Sequence, residues 1–318
     1  MKRDNMEVET AFSIKQANWC LFFVLLGYMV TDLVQSFLLI FFGIRPDMDM
    51  SIYIRMAAIL PAVIFAFSSG KRRRSLRFSE TAPANIVYSV LLAFFVYLLS
   101  SVVLTYLAEL IVNAGGNIPE NEMIDYLMSG SALTAFLFFS VFAPFTEEVM
   151  FRGVFQNAYS RRVGFFAVVL TGAIFGLMHG DLLSSINGVL AGIIICYIYY
   201  KTGSIWNTIA FHAVFNLLGY TLAADAYVLN LPWTLGLLPV ETADTVNPAY
   251  YVYVWGIAVI SALMIYVFIK LLARKNDRPA IYPAVPAKRQ AFEMVPFILA
   301  SLLLTLRLVL GTLAYFMN

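Results

Sequence analysis

Long apolar runs, separated by short polar connections, dominate the chain. Runs of about 17 residues or more are long enough for a helix to cross a bilayer. The strict alternation of apolar and polar residues that is typical of a membrane β-barrel is absent from them. The pattern predicts an all-α, polytopic transmembrane bundle of about eight or nine helices. The runs lie near residues 19–42, 52–68, 86–113, 131–158, 163–180, 183–200, 204–224, 249–273 and 291–316.

The composition agrees with a membrane protein. The 318 residues are 61% hydrophobic and 13% charged, and a soluble domain could not hide that much apolar surface. We therefore expect residues 1–318 to form a single polytopic domain in the cell membrane, in contact with the lipid bilayer. The net charge of +2 gives no reason to expect a nucleic-acid partner. Cys20 and Cys196 lie in apolar runs, so we expect free packing residues.

Positive charge falls on alternate connections between the runs and predicts an orientation. The intervening connections, 117–125 and 240–248, are acidic or neutral. The positive-inside rule then places the basic connections and the N-terminus in the cytoplasm. The basic set comprises KRRRSLR at 71–77, Arg161, Arg162, Lys201, the segment 270–278, Lys288 and Arg289.

The segment FTEEVMFRG, residues 145–153, places two glutamates and an arginine in apolar surroundings. Pro144 just before it is expected to break or kink the helix, and Thr146 could cap a new helical segment. Glu148 and Arg152 are four residues apart and share a helical face, whereas Glu147 points away from Arg152. Glu148 is thus expected to be neutralised, and Glu147 is left as a candidate general base or acid.

Two further motifs carry the chain's two histidines. The first runs from Phe175 to His179, and the second from His212 to Asn216, so that the named positions are four residues apart in each case. Ionisable residues inside a membrane span are functional candidates by default, because hydrocarbon offers them no partners. We interpret the glutamate pair and the two histidine motifs as one joint active site.

These residue types suit hydrolysis of an amide bond. A carboxylate and an imidazole can orient and deprotonate a water, while a second imidazole and an amide can hold the developing oxyanion. Two histidines and a glutamate could instead bind zinc, with water as the fourth ligand. The H-E-x-x-H sequence of many zinc peptidases is absent, although the ligand types alone leave a metal open.

Other polar residues in apolar runs have two interpretations each. Asp32 could line a cavity or pair with another helix, and Arg307 could reach the membrane interface or pair with a carboxylate. Asp181 could orient the imidazole of His179 or cap the next helix. Asn187 and Asn207, near predicted helix ends, are interpreted as structural.

At these residues the chain resembles the CPBP family, which comprises the type II CAAX prenyl endopeptidases and their bacterial relatives, also called Abi or bacteriocin-processing proteins. The family pattern is E-E-x-x-x-R, then F-x-x-x-H, then H-x-x-x-N, each on its own membrane helix. The sequence has EEVMFR, FGLMH and HAVFN in that order. The resemblance assigns a catalytic core to residues 131–225, about a third of the chain.

The resemblance implies an intramembrane endopeptidase whose substrate is a peptide or a membrane protein. Glu147 and His179 would activate water, His212 and Asn216 would form the oxyanion hole, and Glu148 would pair with Arg152 in support. No cofactor is favoured. If zinc were used, its ligands would be Glu147, His179 and His212.

Two other classes of function compete with a peptidase. One is a non-catalytic membrane scaffold or bacteriocin-immunity protein that keeps the same fold. The other is a proton-coupled transporter that uses the glutamates and histidines as a relay. The sequence shows no repeated halves of the kind that many transporters have.

Overall fold

The structure is a computed structural model that describes residues 12–44, 48–78, 81–118, 132–228, 248–277 and 294–317. All regular secondary structure in these ranges is helical, which confirms the all-α prediction. The helices are α1 (Ile14–Phe42), α2 (Met48–Phe67), α3 (Gly70–Ser75), α4 (Pro83–Asn113), α5 (132–163), α6 (Phe166–Leu177), α7 (Leu182–Thr202), α8 (Ile205–Val228), α9 (Pro248–Lys275) and α10 (Val295–Leu313), which a 3₁₀ turn extends over Ala314–Phe316.

Each predicted apolar run corresponds to one helix, and the short basic α3 is additional. Six helices among the described residues are long and apolar enough to cross a membrane, so the chain is a multi-pass membrane protein. They are Ile14–Phe42, Pro83–Asn113, Leu133–Val163, Leu182–Thr202, Val252–Lys275 and Val295–Phe316. Cys20 and Cys196 are free, as predicted.

The predicted orientation stays a prediction. Lys288, Arg289 and most of the acidic connections 117–125 and 240–248 lie outside the described residues.

Helix α5 is continuous but changes its hydrogen-bonding register along its length. It is α-helical over Ala132–Leu137, Ala143–Glu148 and Asn157–Val163, and π-helical over Phe138–Phe142 and Val149–Gln156. A π-helical stretch has one extra residue per turn and is often found at functional sites. Every residue of the second stretch is buried, so this wider part of α5 passes through the protein interior.

Of the predicted break or kink at Pro144, the break does not occur, and the predicted cap at Thr146 is wrong. The helix runs through Pro144 because the π-helical turn before it has already left the α-helical register: the N–H of Ala143 donates to Phe138 O, five residues back. The Thr146 hydroxyl does not cap a helix. It donates back to Phe142 O at 3.0 Å and to Ala143 O at 3.1 Å.

Helices α6 and α7 approach each other closely through glycine. Cβ atoms built on Gly172 or Gly176 of α6 would overlap the backbone of α7, and one built on Gly188 would lie 2.8 Å from Gly176 Cα and 2.9 Å from His179 Nδ1. Small residues allow such backbone contact between membrane helices. The contact holds the end of α6, and with it the turn that carries His179, against α7.

Candidate active site

A cavity of ≈ 360 Å³ lies between α5, α6, α7 and α8, with aromatic side chains over part of its wall. The structure brings all four predicted catalytic residues to its lining: Glu147, His179, His212 and Asn216. Their motifs are separated by dozens of residues in sequence. Their convergence on one space therefore depends on the packing of three different helices.

Glu148 lies behind this cavity and binds two partners through one oxygen. Its Oε1 accepts from Arg152 Nη1 at 2.8 Å and lies 2.8 Å from His212 Nδ1. The side chains of Glu148 and Arg152 are fully buried. The predicted pairing on one helical face is present. The second carboxylate oxygen of Glu148 has no hydrogen-bond partner among the described residues.

Glu147 faces the cavity instead. Its side chain is 17% exposed, and its Oε2 lies 3.8 Å from His212 Nε2, beyond hydrogen-bond distance. Adjacent positions on α5 thus hold one carboxylate in a buried ion pair and another at a cavity surface. A carboxylate in this second position can contact a bound water.

His212 is oriented by Glu148. A carboxylate accepts hydrogen bonds, so the contact with Glu148 assigns a proton to Nδ1 of His212. Nε2 then points toward Glu147 and the cavity. It can donate a hydrogen bond there only when the ring carries both protons.

His179 is also held through Nδ1, but by backbone carbonyl groups and not by a carboxylate. Its Nδ1 lies 3.1 Å from the carbonyl oxygens of Phe175 and Gly176. Carbonyl oxygens only accept, so Nδ1 carries the proton, and Nε2 of the neutral ring keeps a lone pair. That nitrogen is suited to accept a proton or a hydrogen bond from water.

Phe175 packs against both histidines and against Arg152. Its ring meets the rings of His179 and His212 edge to face, with centroids 5.3 Å and 5.5 Å away. The Arg152 guanidinium lies over the same ring, 4.5 Å from its centroid. Phe175 belongs to the F-x-x-x-H motif, but the sequence pattern gave no sign of this packing role.

Asn216 donates from Nδ2 to the backbone oxygen of Phe139 at 2.9 Å and also lines the cavity. An amide nitrogen carries two hydrogens, so one remains for a ligand. Asn187, interpreted as structural from sequence, lines the same cavity, and its Oδ1 has no hydrogen-bond partner among the described residues. Its position could not be read from the local pattern.

The structure shows which role the remaining polar residues have. Asp181 caps α7 by accepting from Ser184 N at 2.9 Å. Arg307 pairs with Asp32, with Nε 3.1 Å from Oδ2. Asn207 exchanges hydrogen bonds with Thr81, in keeping with a structural role.

The three candidate zinc ligands do not form a metal site as they stand. Within the described ranges, no group of three or more His, Cys, Asp or Glu side chains is arranged to hold a metal ion. Nδ1 of His212 contacts Glu148, which leaves Nε2 as the ring nitrogen that faces Glu147 and the cavity.

The all-helical fold with its six candidate spans defines a polytopic membrane protein. Comparisons with known proteins point to a membrane peptidase. Residues 129–218 match the family model described as "Type II CAAX prenyl endopeptidase Rce1-like". The "Putative membrane peptidase YdiL" of Bacillus subtilis (strain 168) is 32% identical over 78 residues, which are 24% of this chain and 32% of that protein. The aligned stretch thus spans about a third of the relative's length.

No solved structure matches the chain. The two sequence comparisons confirm the predicted resemblance to the CPBP family of membrane peptidases.

Proposed function

We propose that this protein is an intramembrane endopeptidase that hydrolyses a peptide bond with water activated by Glu147 and His179. The observation that carries the proposal is the convergence of Glu147, His179, His212 and Asn216 on one cavity, in front of the buried Glu148–Arg152 pair. The family match to residues 129–218 supports the same chemistry.

The first step is attack by water on the peptide carbonyl carbon. The Glu147 carboxylate takes one proton from the water, and His179 orients the water through Nε2. The oxygen–carbon bond forms as the carbonyl π electrons move to oxygen. Because water is the nucleophile, no covalent intermediate with the protein is formed.

The second step is collapse of the tetrahedral intermediate. His212, donating from Nε2, and Asn216, donating its free amide hydrogen, hold the negative oxygen. The carbon–nitrogen bond breaks, and the proton held by Glu147 passes to the leaving amine. Glu148 supports this step because its negative charge stabilises the doubly protonated ring of His212.

The proposed substrate is a peptide or a membrane-protein segment that enters from the lipid bilayer. The aromatic side chains on the cavity wall suit an apolar segment. They include those of Phe138, Phe139, Phe142 and Phe215. We propose a cytoplasmic N-terminus, as the basic connections indicate.

A direct experiment is cleavage of a quenched fluorescent peptide library by the full chain in liposomes. The wild type should cleave, and Glu147→Ala should not. Activity that survives exhaustive chelation supports a metal-free glutamate mechanism, and activity lost on chelation supports zinc. Failure of the wild type to cleave any peptide, soluble or lipid-anchored, would contradict the proposal and favour the scaffold interpretation.

A further inference from the structure

The His179 turn, residues 178–181, joins α6 to α7 and carries a residue of the proposed site. Gly180 within it has φ +92°, a left-handed conformation that glycine adopts without strain. The turn is short, and the position of the His179 ring depends on how its backbone is held. Helix α10, near the end of the chain, supplies much of that support.

Arg307 of α10 contacts the turn first. Its Nη1 donates to the backbone oxygen of Met178, the residue before His179. Its Nε donates to Asp32 Oδ2 of α1 at 3.1 Å, which fixes the guanidinium plane. The side chain is 14% exposed and also lines the catalytic cavity.

Gly311 and Tyr315 contact the same turn. A methyl group at position 311 would overlap the carbonyl oxygen of Gly180, so only glycine permits this approach. The Tyr315 hydroxyl donates to Asp181 Oδ1 at 2.6 Å. Asp181 thereby connects α10 to the N-terminus of α7, which it caps.

These three residues follow one another at intervals of four, which places them along one face of α10 and its terminal turn. All three lie outside residues 129–218, the part of the chain that the family model matches. We propose that this face of α10 is a clamp that positions His179, with Arg307, Gly311 and Tyr315 as positioning residues. The catalytic consequence rests on the proposed function, whereas the structural consequence does not.

The chain's two histidines make the clamp directly measurable by NMR. The full chain in detergent micelles, with isotope-labelled histidine, gives one imidazole signal set for His179 and one for His212, which His179→Gln assigns. In Arg307→Met and Gly311→Ala, the His179 signals should shift or broaden while those of His212 stay. Arg307→Lys should restore part of the wild-type position, because it retains a donor for Met178 O.

Gly256→Ala is the matched control, since a Cβ at Gly256 has nothing within 4 Å. Unchanged His179 signals in both Arg307→Met and Gly311→Ala would overturn the proposal. Equal shifts of both histidines would also overturn it, because they would indicate general loosening.

Kinetics of peptide cleavage by the full chain in liposomes provide a second test of the clamp. Misplacing a catalytic group by an ångström can cost up to about 100-fold in rate, so kcat of Arg307→Met should fall by about 10- to 100-fold with KM nearly unchanged. A rise in KM with unchanged kcat would overturn positioning in favour of direct substrate contact. If the wild type cleaves nothing, the proposed function fails, and the NMR arm still decides whether the clamp exists.

Discussion

Asn216 donates a hydrogen bond from its side-chain amide to the backbone oxygen of Phe139, over 2.9 Å. Phe139 lies in the first π-helical stretch of α5, where a backbone N–H donates to the carbonyl five residues before it. Five residues after Phe139 comes Pro144, which has no N–H. Asn216 therefore replaces a missing backbone donor and keeps one amide hydrogen for the cavity.

Because Asn216 has both a structural and a catalytic role, mutations should separate its effect on stability from its effect on activity. Asn216→Ala should lower the free energy of unfolding by about 1–3 kcal/mol, because it leaves the Phe139 carbonyl unsatisfied. It should also lower kcat by about 10²- to 10³-fold through loss of an oxyanion donor. Adding Pro144→Ala supplies a backbone N–H and should restore stability without restoring kcat. Denaturant unfolding in detergent and peptide cleavage measure the two effects, and recovery of cleavage in the double variant would assign Asn216 a purely structural role.

The buried pair of Glu148 and Arg152 predicts non-additive changes in stability. Arg152→Met should cost about 3–5 kcal/mol, because it leaves a buried carboxylate without its cation. The double variant Glu148→Gln with Arg152→Met should lose less than Arg152→Met alone, since no uncompensated charge remains. Arg73→Met, at an exposed arginine of α3, is the control, and thermal unfolding measures all three. Equal losses in the single and double variants would argue against the ion pair.

Phe175 should matter for rate more than an exposed phenylalanine on the same helix does. Phe175→Leu removes the ring that meets both imidazoles edge to face, a contact worth about 0.5–1.5 kcal/mol per pair. We expect kcat to fall by about 10-fold, the equivalent of about 1.4 kcal/mol. Phe166→Leu, at an exposed residue of α6, should leave kcat unchanged. Equal effects of the two substitutions in a cleavage assay would show that Phe175 does not orient the histidines.

Asn187 should contribute to substrate binding. Asn187 lines the cavity, and its buried Oδ1 has no partner among the described residues, so we expect the side chain to turn and accept from a peptide N–H there. Asn187→Ala should raise KM by about 10-fold, with kcat nearly unchanged, as expected for a contact made equally in the ground and transition states. Asn113→Ala, at the exposed end of α4, is the control. A fall in kcat at constant KM would instead place Asn187 in the chemical step.

The sequence predicts the helices well because membrane spans are long and apolar, and each of the nine predicted runs coincides with a helix. The Glu148–Arg152 pair was also predictable, since residues four apart meet on any regular helix. The π-helical stretches were not, because a slip of one residue in the hydrogen-bond ladder leaves the apolar pattern unchanged. Because this slip is not visible in the sequence, Pro144 was expected to interrupt the helix, whereas the folded helix continues through it.

The contacts that α10 makes could not be predicted from local sequence patterns. A carboxylate partner was one of the two outcomes expected for Arg307 from sequence. That this partner is Asp32 depends on how α1 and α10 pack. For Asp181 the sequence offered two roles, orienting the imidazole of His179 or capping the next helix, but it gave no sign of the contact with Tyr315. In the fold it caps α7 and accepts from Tyr315.

The central claim is that Glu147 is the base that activates water. Its most direct test is kcat/KM for cleavage by Glu147→Gln beside Glu109→Gln, a matched substitution at a half-buried carboxylate of α4. Glutamine keeps the shape of the side chain but cannot take the proton, so Glu147→Gln should lose about 10²- to 10⁴-fold, while Glu109→Gln stays near wild type. Cleavage by Glu147→Gln at the wild-type rate would contradict the account.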